Sequence, residues 1–185
     1  MYLKIYSLII PLLGMSSSFE TNLSEVDWAL EAYGSKIEFG IYRKDKKIGN
    51  HIVTIEGTKE KKLVKSETNM KFKFLIFTAY KFQYRSTENW LEGKLKSIIS
   101  KTVDGGKEVK TELFNKDNNL TLPTNHWNPE VLNDSTVFNT ITGNLNSVSI
   151  KKREWENIKT SSGIRWAQRF DYSGDLENIS AWYDK

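Results

Sequence analysis

The stretch MKFKFLIFTAYKFQY, residues 70–84, decides the fold of this chain. Apolar or aromatic side chains occupy its even positions, interrupted by a single threonine, and its odd positions begin and end with polar residues. Alternation with a period of two is typical of a β-strand that buries one face, whereas a helix would spread the same rings around its circumference. The stretch therefore predicts a long, aromatic-faced antiparallel sheet.

The length of this segment is unusual for a strand. From Lys65 to Arg85 the chain contains no Gly, Pro or Asp at which a tight turn would be expected. A strand of about 20 residues would extend over about 60 Å, which exceeds usual strand lengths. Leu75, Phe77 and Ala79 make the odd face apolar as well. We therefore expect a sharp bend or bulge in the middle of one strand, in a sheet that wraps around its own contents.

The same patterns, read along the chain, predict a mainly β protein with one strongly curved antiparallel sheet and one or two short helices. A helix is expected within residues 22–33, with Gly34 at its end, and Asn128 is expected to cap a single helical turn that starts at Pro129. The other predicted strands cover residues 36–43, 48–56, 95–103, 107–114, 147–155, 164–172 and 177–183.

The N-terminus is typical of a secretory signal peptide. A short basic segment, residues 1–4, precedes the apolar residues 5–15, and Ser16, Ser17 and Ser18 supply small residues for cleavage near Ser18. The alternative is a buried N-terminal helix. We therefore expect a signal peptide over residues 1–18, one β-rich domain over residues 19–185, and export to the periplasm or the extracellular space. No other stretch is long and apolar enough to span a membrane as a helix.

Composition excludes several classes of function. The chain has no cysteine, which removes disulfides, thiolate catalysis and Cys-ligated metals. It has two histidines, and neither stands in a zinc-binding spacing, so we predict no metal site and no cofactor. The net charge of +4 is spread along the chain without a run of five like charges, so no nucleic-acid partner is expected.

The aromatic alternation also indicates where a ligand would bind. Most of these rings would pack in an ordinary core, but a concave sheet could line a cavity with them for an apolar or amphipathic, lipid-like ligand or a hydrophobic protein segment. An anionic head group would then meet Lys71, Lys73, Arg85 or Arg169. The predicted ligand-binding residues are Phe72, Phe74, Ile76, Tyr80, Phe82, Tyr84 and Trp90.

Two other functions are open. The first is a structural or interaction module of the cell envelope with a filled core. The second is a hydrolase, for which Glu88 and Glu92 would lie about 7 Å apart on one face of a strand. His126, in a loop beside Trp127, would be the other candidate for catalysis. Structural ion pairs and structural histidines are the commoner use of such residues, and the sequence favours a non-catalytic protein.

Several segments, in this order, are similar to a known family. They are residues 47–51 (KIGNH), 77–82 (FTAYKF), 88–95 (ENWLEGKL), 102–106 (TVDGG), 140–143 (TITG) and 181–184 (AWYD). The chain resembles the bacterial, exported domain-of-unknown-function family number 6134, which is related in pattern to half-barrel periplasmic proteins. The resemblance implies an antiparallel sheet curled around a helix or loop, like the carriers that bind lipoprotein acyl chains, and it implies no activity. Family members usually continue past the Trp-Tyr-Asp segment, so either the sheet ends early at Lys185 or the chain is truncated.

Overall fold

The computed structural model describes residues 4–5, 27–43, 45–74, 77–116, 121–160 and 162–184. The signal peptide over residues 1–18 lies outside them except for Lys4 and Ile5, so this peptide and its cleavage near Ser18 stay predictions. Ile76 of the predicted binding face also lies outside them. Residues 73, 74 and 77–79 are described as backbone only, so the side chain of Phe74 has no described surroundings.

Seven antiparallel strands form the large sheet, and each pairs with the next along the chain. They are β1 (Lys4–Ile5), β2 (Lys36–Arg43), β3 (Lys46–Gly57), β4 (Lys61–Phe74), β5 (Phe77–Leu91), β6 (Lys94–Asp104) and β7 (Lys107–Phe114). The predicted strands 36–43 and 107–114 are confirmed with the same bounds. The sheet is not closed, since β1 and β7 form its two edges.

Four further strands form a small antiparallel sheet in the order β11-β10-β9-β8. They are β8 (Thr136–Phe138), β9 (Leu145–Thr160), β10 (Gly163–Gly174) and β11 (Ile179–Asp184). The mainly β prediction is confirmed, but the described strands form two sheets where one had been expected. The irregular segment that precedes β8 separates the two sheets, and β8 itself was not predicted.

The prediction of one long strand through residues 65–85 is wrong. The chain reverses its direction between Phe74 and Phe77, so the aromatic stretch belongs to both β4 and β5. Met70 pairs with Phe82 and Phe72 pairs with Tyr80, and a register shift follows Phe72. Because these pairs join even-numbered residues, even positions of both strands share one face, and the hairpin has the same alternation as a continuous strand.

Two short helices accompany the sheets. The α-helix α1 (Trp28–Tyr33) begins at Asp27, whose side chain accepts a hydrogen bond of 3.0 Å from the Ala29 backbone N–H. It ends at Gly34, as predicted, with a φ of 68° that suits glycine. A 3₁₀ helix over Pro129–Asn133 begins at Asn128, whose side chain accepts from the Glu130 backbone N–H, so this cap is also confirmed.

The hydrophobic core lies on one face of the large sheet, which we call the inner face. Alternation places the even residues of β4 and β5 and the odd residues of β2, β3 and β7 there. The segment 122–137, helix α1 and strand β9 contribute the opposing side chains. The buried members are Ala29, Ile37, Val53, Ile55, Val64, Trp90, Leu95, Leu122, Trp127, Val131, Val137 and Val148.

Candidate functional site

A buried carboxylate lies at the centre of the inner face. Glu88 on β5 is fully buried, and one of its carboxylate oxygens accepts a hydrogen bond of 2.6 Å from the Asn125 side-chain amide. The indole N–H of Trp90 donates to the other oxygen at 2.9 Å, and that of Trp127 lies 3.3 Å from both. Burial raises the pKa of Glu88, while these donors and the charge of Lys62 act against the rise. The network ties the segment that carries Asn125 and Trp127 onto β5.

A buried ion pair lies next to this carboxylate. The Lys62 ammonium contacts Asp27 Oδ2 at 2.8 Å, and each residue is at least 96% buried. Its Nζ atom lies 5.5 Å from the ring centroid of Trp28 and 5.3 Å from those of Trp90 and Trp127. Three indoles and one carboxylate therefore surround a single cation. We call this group the tryptophan cage.

The tryptophan cage and the Glu88 network were missed by the sequence analysis. One signal was available, because Lys62 alternates with Val64 and Ser66 and therefore belongs to the inner face of β4. A lysine at such a position is buried only when an acid pairs with it. That acid, Asp27, lies in another element, 35 residues away along the chain.

Two of the predicted ligand-binding residues, Tyr84 and Trp90, are buried under the chain itself. The Tyr84 hydroxyl donates to Thr140 Oγ1 at 2.8 Å and lies 3.2 Å from Asn125 Oδ1. Trp90 meets Trp127 edge to face at 5.5 Å, and no water-sized space remains between them and Val131. At this end of the inner face, the segment 121–140 occupies the position that a ligand had been expected to take.

The aromatic residues at the other end of the hairpin are only partly buried. Phe72 and Tyr80 stack with their ring centroids 5.3 Å apart, and the Arg43 guanidinium lies 4.5 Å above the Phe72 ring. Phe82 is half-buried on the same face, opposite Asp104 of β6. Burial, with the neighbouring Asp104 carboxylate, raises the pKa of Tyr80 to about 12. We call Phe72, Tyr80 and Phe82 the open aromatic end.

The basic residues expected beside these rings lie elsewhere. Lys71 and Arg85 stand at odd positions and are exposed on the outer face, where Arg85 pairs with Glu67 at 3.2 Å. Arg169 belongs to β10 of the small sheet, and Lys73 is described as backbone only. Arg43, which the sequence analysis did not select, is the cation that contacts the open aromatic end.

The two histidines are hydrogen-bonded within the packing. His51 Nδ1 lies 2.7 Å from Thr68 Oγ1, and His126 Nδ1 lies 3.2 Å from the Tyr172 hydroxyl. Tyr183 donates to the His126 carbonyl at 2.9 Å. Burial lowers the pKa of both rings to about 4, and for His51 the nearby His126 adds to the effect. Both imidazoles are therefore uncharged at neutral pH.

The carboxylates of the hydrolase hypothesis are not brought together. Glu88 is fully buried, whereas Glu92 follows the end of β5 and is exposed in the turn, with a φ of 50°. Glu92 is therefore not on the strand face that holds Glu88. Among the described residues, no group of three His, Asp or Glu side chains is placed to hold a metal ion.

A row of hydroxyl-bearing side chains also lies on the inner face. Ser66, Ser86, Ser100 and Thr111 stand opposite one another on β4, β5, β6 and β7. Ser100 donates to the carbonyl of Thr140, and Thr111 donates to the same oxygen at 3.0 Å. Small side chains at one level of four strands leave room for the connector that carries Thr140 to lie against the sheet.

Comparison with known proteins identifies the family. The chain belongs to the family described as Domain of unknown function (DUF6134), whose family model matches residues 39–185. The matched range includes β3 to β11 and therefore Glu88, the open aromatic end and the small sheet. No curated protein and no solved structure matches the chain. Within the described residues, no helix is long and apolar enough to cross a membrane.

Proposed function

We propose that this protein is an exported, non-catalytic binding protein that holds an amphipathic, lipid-like ligand at the open aromatic end of its large sheet. The observation that carries the proposal is the stacked pair of Phe72 and Tyr80 on the inner face, which stays partly accessible while Tyr84 and Trp90 are buried. Rings that are half-buried on an otherwise covered face offer apolar area that a ligand could remove from water.

The charge beside these rings favours an anionic head group. The Arg43 guanidinium lies over the Phe72 ring, and a guanidinium stacked on a ring can still bind a carboxylate or a phosphate through the N–H groups at its edge. Burial of an acyl chain against the rings would contribute at most about 0.8 kcal/mol per methylene before the costs of association. The ligand would therefore be recognised by an apolar chain and one negative charge.

A second candidate function has its own observation. The Trp90 end of the inner face is filled by the chain's own segment 121–140, which is the packing expected of a structural or interaction module without a cavity. On that reading, the open aromatic end is a surface of the folded protein and holds no lipid. The hydrolase is not favoured, because Glu88 has no access to solvent and Glu92 lies in a turn.

The first experiment measures palmitate and octanoate binding to purified protein by isothermal titration. We expect palmitate to bind more tightly than octanoate, because each missing methylene removes up to about 0.8 kcal/mol. Phe72→Ala should weaken palmitate binding about 10-fold or more, whereas Phe114→Ala, on the exposed end of β7, should leave it unchanged. Native mass spectrometry of protein from its own exported compartment would then identify the natural ligand.

A second pair of variants tests the head group. Arg43→Gln should weaken palmitate binding, and Arg85→Gln, which changes an arginine on the outer face, should have no effect. Thermal melts of all four variants check that the fold is intact. Equal affinities for the two fatty acids, or equal effects of Phe72→Ala and Phe114→Ala, would reject the lipid-binding proposal and favour the filled module.

A further inference from the structure

The small sheet carries a cleft that the proposed function does not use. It lies across β9, β10 and β11, has a volume of about 640 Å³, and is lined by Lys151, Arg153, Glu156, Arg169, Asp171 and Trp182. The Tyr183 hydroxyl reaches His126 in the interior, so alternation along β11 directs Ser180 and Trp182 to the opposite face. The cleft is therefore on the outer face, and its volume is typical of a small-molecule site.

One carboxylate holds two guanidinium groups in this cleft. Asp171 Oδ2 accepts from Arg153 Nε at 2.7 Å, and its Oδ1 accepts from Arg169 Nε at 2.6 Å and from the Ser180 hydroxyl at 2.7 Å. Burial acts to raise the pKa of Asp171, but these hydrogen bonds outweigh it and lower the pKa to about 2. The carboxylate is thus ionised, and it fixes an arginine from each of two adjacent strands.

The cleft remains positive after this pairing. Its lining contains four cationic side chains, including Lys151 and Lys159, and two anionic ones, Glu156 and Asp171, so its net charge is +2. Within the described part of the chain, Arg153 is engaged through Nε, and its two Nη groups have no hydrogen-bond partner there. A guanidinium that is fixed through one edge keeps the other N–H groups for bidentate binding of an oxyanion.

An indole ring completes the lining. The Trp182 N–H donates to Glu156 at 2.5 Å, and the Arg169 guanidinium lies 5.5 Å from the ring centroid. The hydrogen bond and the cation hold the ring in one orientation beside the two arginines. Such a ring offers an apolar surface on which a flat or cyclic part of a ligand can stack.

We propose that this cleft binds a small anionic molecule of monosaccharide size, whose phosphate or carboxylate is held by the Nη groups of Arg153 while its ring lies against Trp182. Arg169, whose Nη groups contact Ser180 at 3.4 Å and Glu156 at 4.0 Å, adds positive charge beside the bound anion. The cleft volume is larger than a simple inorganic anion needs, and the indole stands beside the guanidinium pair. This site is separate from the open aromatic end, and the inference does not depend on lipid binding.

The test is isothermal titration of the full chain with glucose 6-phosphate, glucuronate and glucose in buffer of low ionic strength. We expect glucose 6-phosphate and glucuronate to bind, and their relative affinities show whether phosphate or carboxylate is preferred. Glucose, which has no charge, should bind at least 10-fold more weakly. Arg153→Gln should reduce the affinity for the preferred anion at least 10-fold. Arg153→Lys should restore part of it, because the charge returns without the planar fork.

A matched control separates binding from structure. Arg85 also pairs with a carboxylate on an exposed sheet face, so Arg85→Gln makes the same chemical change away from the cleft and should leave the affinity unchanged. Thermal melts of both variants show whether the fold is retained. The inference is overturned if neither anion binds the unaltered protein at millimolar concentration, if glucose binds equally well, or if Arg153→Gln and Arg85→Gln have the same effect.

Discussion

Removal of one charge from the tryptophan cage should destabilise the whole protein. Asp27 has two roles, because its Oδ2 atom pairs with Lys62 at 2.8 Å and its Oδ1 atom caps α1 at Ala29 N. Asp27→Asn retains an oxygen for the cap and removes only the negative charge. Lys62 would then lose the carboxylate that it contacts and stay a buried ammonium among three indoles, with Glu88 as a nearby acid that it does not contact directly.

The magnitude follows from the burial of both partners. Breaking a buried ion pair by removing one member typically destabilises a protein by about 3–5 kcal/mol, so we expect that range for Asp27→Asn and for Lys62→Met. Asp27→Ala also removes the cap and should cost about 1 kcal/mol more. The double variant Asp27→Asn with Lys62→Met removes both charges of the pair, and methionine packs well against aromatic rings. It should therefore be less destabilised than either single variant.

The assay is urea unfolding at pH 7, followed by tryptophan fluorescence and by circular dichroism, with the free energy of unfolding extrapolated to water. The control is Lys65→Met, which breaks an ion pair of similar length, 3.0 Å to Glu56, whose two side chains are about half exposed. An exposed pair contributes at most about 1 kcal/mol. If Lys62→Met destabilises no more than Lys65→Met, or if the single variants are additive, the interpretation of the cage as a coupled buried pair is wrong.

Three further predictions concern other parts of the interior. The pKa of His126 is about 4 in the folded protein and near 6.5 in the unfolded chain, so the unfolded state binds more protons between these values. The free energy of unfolding should therefore fall as the pH is lowered from 6.5 to 4. Urea midpoints measured across this range should fall less steeply for His126→Gln. Glu88→Gln should destabilise the protein by about 1–3 kcal/mol, since its amide N–H₂ would face an indole N–H, whereas the exposed Glu112→Gln should have little effect in the same denaturation assay. A Cβ atom at Gly49 would lie 2.2 Å from the Asn69 carbonyl oxygen, so Gly49→Ala should lower the melting temperature, and an unchanged value would contradict the close approach of β3 and β4.

Much of the large sheet could be predicted because its turns contain suitable residues. Asp104, Gly105 and Gly106 mark the turn between β6 and β7, and Gly93 marks the turn between β5 and β6. The reversal between Phe74 and Phe77 has no such residue, so the alternation was interpreted as one strand. Pairing across the sheet decided this turn, and a local pattern contains no information on such pairing.

The candidate site could be predicted only in part. Alternation selected Tyr84 and Trp90 as inner-face residues, and both are there. It did not predict that the segment with Asn125 and Trp127 would cover them, since an irregular segment between prolines does not indicate the surface on which it packs. Arg43 was missed for a similar reason, because its contact with Phe72 joins β2 to β4 across the intervening β3.

The row of hydroxyls across β4 to β7 has a consequence for the order of assembly. The carbonyl oxygen of Thr140 accepts hydrogen bonds from both Ser100 and Thr111. These residues stand on separate strands, which must pair before both donors are in place. Thr140 lies 40 residues from Ser100 along the chain, so this contact closes a long loop. We therefore expect the meander from β2 to β7 to form first, and the connector and the small sheet to join it as the late step of folding.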